Sequence, residues 1–170
     1  AWLKGRSPKD NRNIPPLRYG DVHRLKRSYP HLNIEINGGF TSLEQVTEQL
    51  KWVDSVMIGR AAYDNPYLFA LADQVIFCEK TQPYARAQVA QAMIPYIDTW
   101  VKKGTKLNSI TRHMLHLFHG QPGSRVWKQT ITAGASKPNA DSKVIVDALE
   151  KVQQIALAAE VNDAIFAKIS

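Results

Sequence analysis

Apolar positions along this chain follow two regimes. In the first, up to about residue 76, short apolar runs alternate with helical spacing. Val22 and Leu25 recur at i, i+3 between Tyr19 and Tyr29, and Pro30 follows, so a helix is predicted there. Asn33-Ile34-Glu35-Ile36 then predicts a strand over 32–36 that runs into Asn37-Gly38-Gly39. Leu43, Val46 and Leu50 mark one face of a second helix, opened by a capping-box pattern of Ser42 with Gln45 three residues on. A second strand is predicted over 53–58, where Val56-Met57-Ile58 stops at Gly59-Arg60. Helix, strand, helix, strand with short connections is the βα alternation of a parallel sheet or barrel, so the fold class is α/β. A short helix is expected around 67–75, and the Pro-, Gly- and Asn-rich residues 1–18 read as a long loop.

Beyond Glu79-Lys80-Thr81-Gln82-Pro83, a linker by composition, the apolar period is helical throughout. Val89, Met93, Ile97 and Trp100 share one side of 85–103, with Pro95 predicting a break. A helix is expected over 107–119 from Ile110, Met114, Leu117 and Phe118, then a shorter one over 126–131. Turn residues over 134–139 precede a last helix at 141–159. Trp127 is expected in the core.

Charge changes this picture more than bulk composition does. The 170 residues are 44% hydrophobic and 22% charged, the balance of a globular chain with a core. The net charge of +7 is unevenly placed. Residues 1–31 hold eight Lys/Arg against two acids, and residues 102–143 hold eight against one. The two remaining stretches are acidic. Two separate basic segments are the pattern of two surfaces facing one polyanion. No apolar run reaches the length of a membrane span. Cys78, the single cysteine, sits among Val75, Ile76 and Phe77 and is expected to be a small buried hydrophobe. One cysteine excludes an internal disulfide and fits a reducing, cytoplasmic setting. His113, His116 and His119 recur at helical spacing, but apolar residues separate them and no Cys or carboxylate cluster joins them, so no metal site is expected.

The candidate chemistry lies at the glycines. In α/β sheets ligands collect at the C-terminal strand ends, and in (β/α)₈ barrels the last two strand ends commonly hold phosphate. Gly38, Gly39 and Gly59 allow the backbone to approach closely and to donate N–H groups. Arg60 adds a forked, permanently charged donor. The two strand ends are thus expected to share one phosphate group.

These residues, within IEINGGFTSLEQVTEQLKWVDSVMIGRAAYDNPYLF and preceded by SPKDNRNIPPL, closely resemble the tRNA-dihydrouridine synthases, the A subgroup above all. ITRHMLHLFHGQPGSRVWKQ is similar, more loosely, to that subgroup's C-terminal helical domain. The resemblance implies the C-terminal portion of a (β/α)₈ TIM barrel carrying FMN, over 1–76, followed by an all-helical tRNA-binding domain over 77–170. It implies reduction of a D-loop uridine, U20 or U20a, by NADPH through FMN, in an enzyme that works as a monomer on tRNA. By the same resemblance Asn37, Gly38, Gly39, Gly59 and Arg60 bind the FMN phosphate. Lys9 and Arg12 in one loop, with Arg112, Arg125 and Lys128 in the helical part, face tRNA. The family's catalytic cysteine and flavin-side lysine match nothing in these residues, and Cys78 does not align with that cysteine. The chain is therefore expected to be a fragment inactive by itself. Two alternatives stay open: another FMN- or phosphate-binding barrel enzyme, and a helical RNA-binding module without catalysis.

Overall fold

The computed structural model describes Ser7 and residues 17–169, of which 160–169 by backbone alone. Lys9, Arg12 and nearly all of the loop expected over 1–18 lie outside these residues. Two compact units divide between Gly59 and Arg60.

The first unit is α/β. Helix α1 (Tyr19–Ser28) carries Asp21 in its first turn and Lys26 and Arg27 in its last, each sign at the helix end that favours it. It ends at Ser28, two residues before Pro30 and one short of the expected Tyr29. Strand β1 (Glu35–Asn37) starts later than expected, because the Leu32 N–H closes a turn onto the Tyr29 carbonyl at 3.1 Å. The Lys26 ammonium holds that turn, donating to the carbonyls of Pro30 (2.9 Å) and Leu32 (2.7 Å). In α2 (Leu43–Gln49) the Ser42 hydroxyl accepts from the Gln45 N–H at 3.4 Å. The reciprocal half of the expected capping box is displaced by one residue: Gln45 Oε1 accepts from the Thr41 N–H at 2.8 Å.

Strand β2 (Ser55–Met57) lies parallel to β1, with Glu35 opposite Ser55, Ile36 opposite Val56 and Asn37 opposite Met57. Asp54 precedes it and ties the unit together. Its carboxylate accepts from the Ile34 N–H at 2.8 Å and pairs with Lys26 at 2.7 Å. The Lys26 hydrogen bond, ahead of the Ile34 one, pulls the Asp54 pKa below its ordinary value. Ile36, Phe40 and Val53 form a small core, with Leu43 and Val46 buried on α2. The α/β class is realised; among the described residues the sheet has two strands, which form no closed barrel.

The second unit is helical. It opens with α3 (Arg60–Asp64), a 3₁₀ turn at Pro66–Leu71 and α4 (Ala72–Phe77), where one short helix is expected. Cys78 corrects an expectation: it is exposed, in a left-handed conformation (φ 56°) that ends α4. Its apolar neighbours do not bury it, because Phe69, Leu71, Val75 and Phe77 are themselves exposed in this chain. The predicted break at Pro95 is present. Helix α5 (Arg86–Ala92) stops and α6 (Ile94–Lys102) starts with the proline in its first turn, where a missing N–H costs nothing.

The helix expected over 107–119 is the second departure. Helix α7 covers only Leu107–Thr111, and residues 112–120 form successive turns. Their N–H groups reach three residues back, Met114 to Thr111 and Leu117 to Met114, rather than four. Side chains take the carbonyls that a helix would use. The Trp127 indole N–H donates to the Met114 carbonyl at 2.9 Å, and the Arg86 guanidinium donates to the Leu117 carbonyl. Arg86 also lies 3.9 Å over the Tyr67 ring, and partial burial pulls its pKa below the usual range.

Helix α8 (Ser124–Ala135) then packs on α9 (Lys143–Ile169). Gly134 makes that approach possible, since a Cβ there would stand 2.6 Å from a Val144 methyl. Trp127, Ile97, Ile131 and Ile145 are fully buried at the centre of a twelve-residue core. Among the described residues no helix is long and apolar enough to cross a membrane.

Candidate functional site

Parallel register brings the ends of β1 and β2 side by side, because Asn37 stands opposite Met57. Gly38-Gly39 and Gly59 therefore leave the sheet at the same edge, within the first unit. Among the described residues, no hydrogen bond outside the strand ladder uses the N–H of Gly38, Gly39 or Gly59.

The three glycines stand there for different reasons. Gly39 has φ +67°, the left-handed region that L side chains avoid. Gly38 is demanded by packing: a Cβ there would lie 2.8 Å from a Tyr19 ring carbon. The Tyr19 hydroxyl donates to the Gly38 carbonyl, and its ring stacks on buried Phe40 at 5.3 Å between centroids. Gly59 answers to neither demand, since a Cβ there would meet nothing within 4 Å and its φ is not positive. Arg60 follows directly in the chain, exposed at the start of α3 and the first residue of the second unit.

In the helical unit the expected nucleic-acid residues do not form one cluster. Arg125 and Lys128 are three apart on α8, one exposed and one half-buried, and so share a face of that helix. Arg112 lies elsewhere. It lines a groove of about 250 Å³ between α7 and the C-terminal half of α8, with Asn108, Ser109, Thr132 and Ser136. A second hollow of about 420 Å³ adjoins it, sharing Asn108, Ala135 and Ser136 and bringing in Lys106 and Lys137. Nothing in local sequence marks Lys106 and Lys137 as neighbours. They are joined only because α7 packs against the end of α8.

The histidines are committed to Tyr63. Its hydroxyl is hydrogen-bonded to His113 Nδ1 at 2.8 Å, and its carbonyl accepts from His116 Nδ1 at 3.1 Å. His119 is exposed. Among the described residues no group of three or more His, Cys, Asp or Glu comes together. Trp127 is core, as expected, with no exposed face for a base.

Comparison with known proteins finds relatives over most of the chain. The sequence profile of the family described as "Dihydrouridine synthase (Dus)" matches residues 2–156. The chain is 50% identical over 153 residues to the tRNA-dihydrouridine(20/20a) synthase of Shewanella oneidensis, covering 90% of this chain and 46% of that protein. It is 49% identical over 152 residues to the enzyme of the same name from Vibrio cholerae, covering 89% of this chain and 46% of that one. The Synechocystis relative is 47% identical over 150 residues, 88% of this chain and 45% of its own length. The chain thus spans about half the length of the curated relatives it matches. With most of its residues inside the family profile and near-half identity to these relatives, the chain belongs to the dihydrouridine synthase family.

Proposed function

We propose that this chain supplies the flavin-phosphate loops and the helical tRNA-facing surface of a tRNA-dihydrouridine(20/20a) synthase. The observation that carries this reading is the shared strand edge, where the parallel register brings Gly38-Gly39 and Gly59 out of β1 and β2 side by side. In this reading β1 and β2 are the last two strands of a (β/α)₈ barrel, with the barrel portion over 1–76 and the tRNA-binding helices over 77–170. The N–H groups of Gly38, Gly39 and Gly59, with the Asn37 amide and the Arg60 guanidinium, hold the FMN phosphate. Bound there and reduced by NADPH, FMN would supply the hydride for the uracil C5–C6 bond, the second hydrogen arriving as a proton from an acid outside these residues. Lys9 and Arg12, together with Arg112, Arg125 and Lys128, hold the tRNA backbone and carry no chemistry. The enzyme acts as a monomer in the cytoplasm. By themselves these 170 residues do not turn over, because the two strands among the described residues give a flavin ring no closed cavity.

A chimera tests the proposal. Residues 2–156 replace the matching segment of the Shewanella oneidensis relative, and dihydrouridine in tRNA is read by mass spectrometry. Modification by the chimera is the expected result; a folded chimera without it overturns the reading. A charge-assisted contact is worth about 1.5–3 kcal/mol, so Arg60→Ala in the chimera should weaken FMN binding by roughly ten- to a hundredfold. Unchanged FMN affinity in a fluorescence titration removes Arg60 from the phosphate site.

A further inference from the structure

We infer that the two adjoining hollows around α7 and the end of α8 form one RNA-backbone groove, with Lys106 and Lys137 as its phosphate contacts beside Arg112. The inference rests on the tRNA reading above and deepens it, since it adds to the Arg125–Lys128 face a second contact surface around Arg112.

Three observations carry it. The hollows adjoin, because Asn108, Ala135 and Ser136 line both. Their linings include three cations, Lys106, Arg112 and Lys137, and not one carboxylate. Between those cations lie the short neutral donors of Asn108, Ser109 and Ser136, the side chains that commonly reach phosphate oxygens and ribose hydroxyls. The apolar part of the lining is aliphatic: Leu107, Leu115, Ile131, Ala135, Pro138 and Ala140. A lining with cations and hydroxyls but no aromatic platform favours a sugar-phosphate chain over stacked bases. It therefore predicts binding that is strong in charge and weak in sequence preference.

The probe is a fluorescently labelled tRNA transcript, titrated with the full chain by anisotropy across a salt series. Each phosphate contact contributes about 0.7–0.9 to the slope of log K against log salt. Lys106→Ala with Lys137→Ala should therefore lower that slope by about 1.4–1.8. An unchanged slope in this variant, beside a lowered one for Arg125→Ala with Lys128→Ala, overturns the groove and leaves the tRNA reading standing. No RNA binding by the unaltered chain overturns both. Lysine acetylation of the unaltered chain gives a second readout that needs no variant. Bound tRNA should protect the Lys106 and Lys137 amines, and equal labelling with and without tRNA rejects the groove.

Discussion

The helical unit and the strand unit bury their apolar residues to different extents. In the helical unit eleven other buried residues form one core with Trp127, which is 0% exposed and hydrogen-bonded through its indole N–H. In the strand unit the central cluster is Ile36, Phe40 and Val53, while Trp52, Met57, Leu25 and Leu32 stay at the surface. The strand unit compensates with polar ties: Lys26 to two carbonyls and to Asp54, and Tyr19 to Gly38. A packed apolar core withstands changes in charge and pH, whereas a unit tied by exposed ionic groups does not. Two units of one chain should therefore respond to different insults.

The largest separation should come from Trp127→Ala. Truncating a buried aromatic costs about 3–5 kcal/mol, and here the Met114 carbonyl also loses its donor. Hydrogen exchange should show α8 and α9 amides losing protection while those of β1 and β2 keep theirs. Equal loss in both units would show that they unfold as one, and the contrast would fail.

A smaller effect separates two glycines on the same sheet edge. Gly38→Ala places a methyl 2.8 Å from the Tyr19 ring, and overpacking of that kind costs about 1–3 kcal/mol. Gly59→Ala meets open space at an ordinary φ, so stability should hold or rise by up to about 1 kcal/mol. In the chimera the order should reverse for function. Gly59→Ala should weaken FMN binding in a protein that melts normally. Thermal melts with a flavin titration decide it; intact FMN affinity in Gly59→Ala would make Gly59 an ordinary turn residue.

This pair also shows what was legible in sequence. The glycines, their strands and their shared edge follow from local patterns, because a parallel register needs only two strands and the helix between them. That Gly38 answers to Tyr19, nineteen residues away, needs the tertiary structure. The same division holds in the helical unit. Pro95 breaks its helix through its own missing N–H, a property carried by one residue. The turns at 112–120 break an apparently helical pattern because Arg86 and Trp127 claim the carbonyls, and neither is nearby in sequence. Cys78 was misread for a related reason: apolar neighbours predict burial only if something covers them. The groove cations Lys106 and Lys137 were missed because packing alone brings them together.

The smallest effect should be the acid response of the strand unit. Glu44, Glu48 and Asp54 are each held below the ordinary carboxylate range, Glu44 mainly by the Ser42 hydroxyl, Glu48 and Asp54 mainly by their lysines. A folded-state pKa below the unfolded value, about 3.9 for Asp, contributes stability that is fully present above that value. It is lost as pH falls through the folded pKa, because the unfolded chain then binds protons more readily. All three groups are at the surface, so water screens the gain and the loss should be modest. Asp54 should dominate, since it alone joins α1, the start of β1 and the start of β2 through Lys26 and the Ile34 N–H. Protection of β1 and β2 amides should therefore decline below about pH 4, with α8 amides as the internal reference. Asp54→Asn should give at neutral pH the reduced protection that the unaltered chain reaches only in acid, and should flatten the decline. A decline of the same steepness in Asp54→Asn would place the acid-sensitive tie elsewhere in the unit.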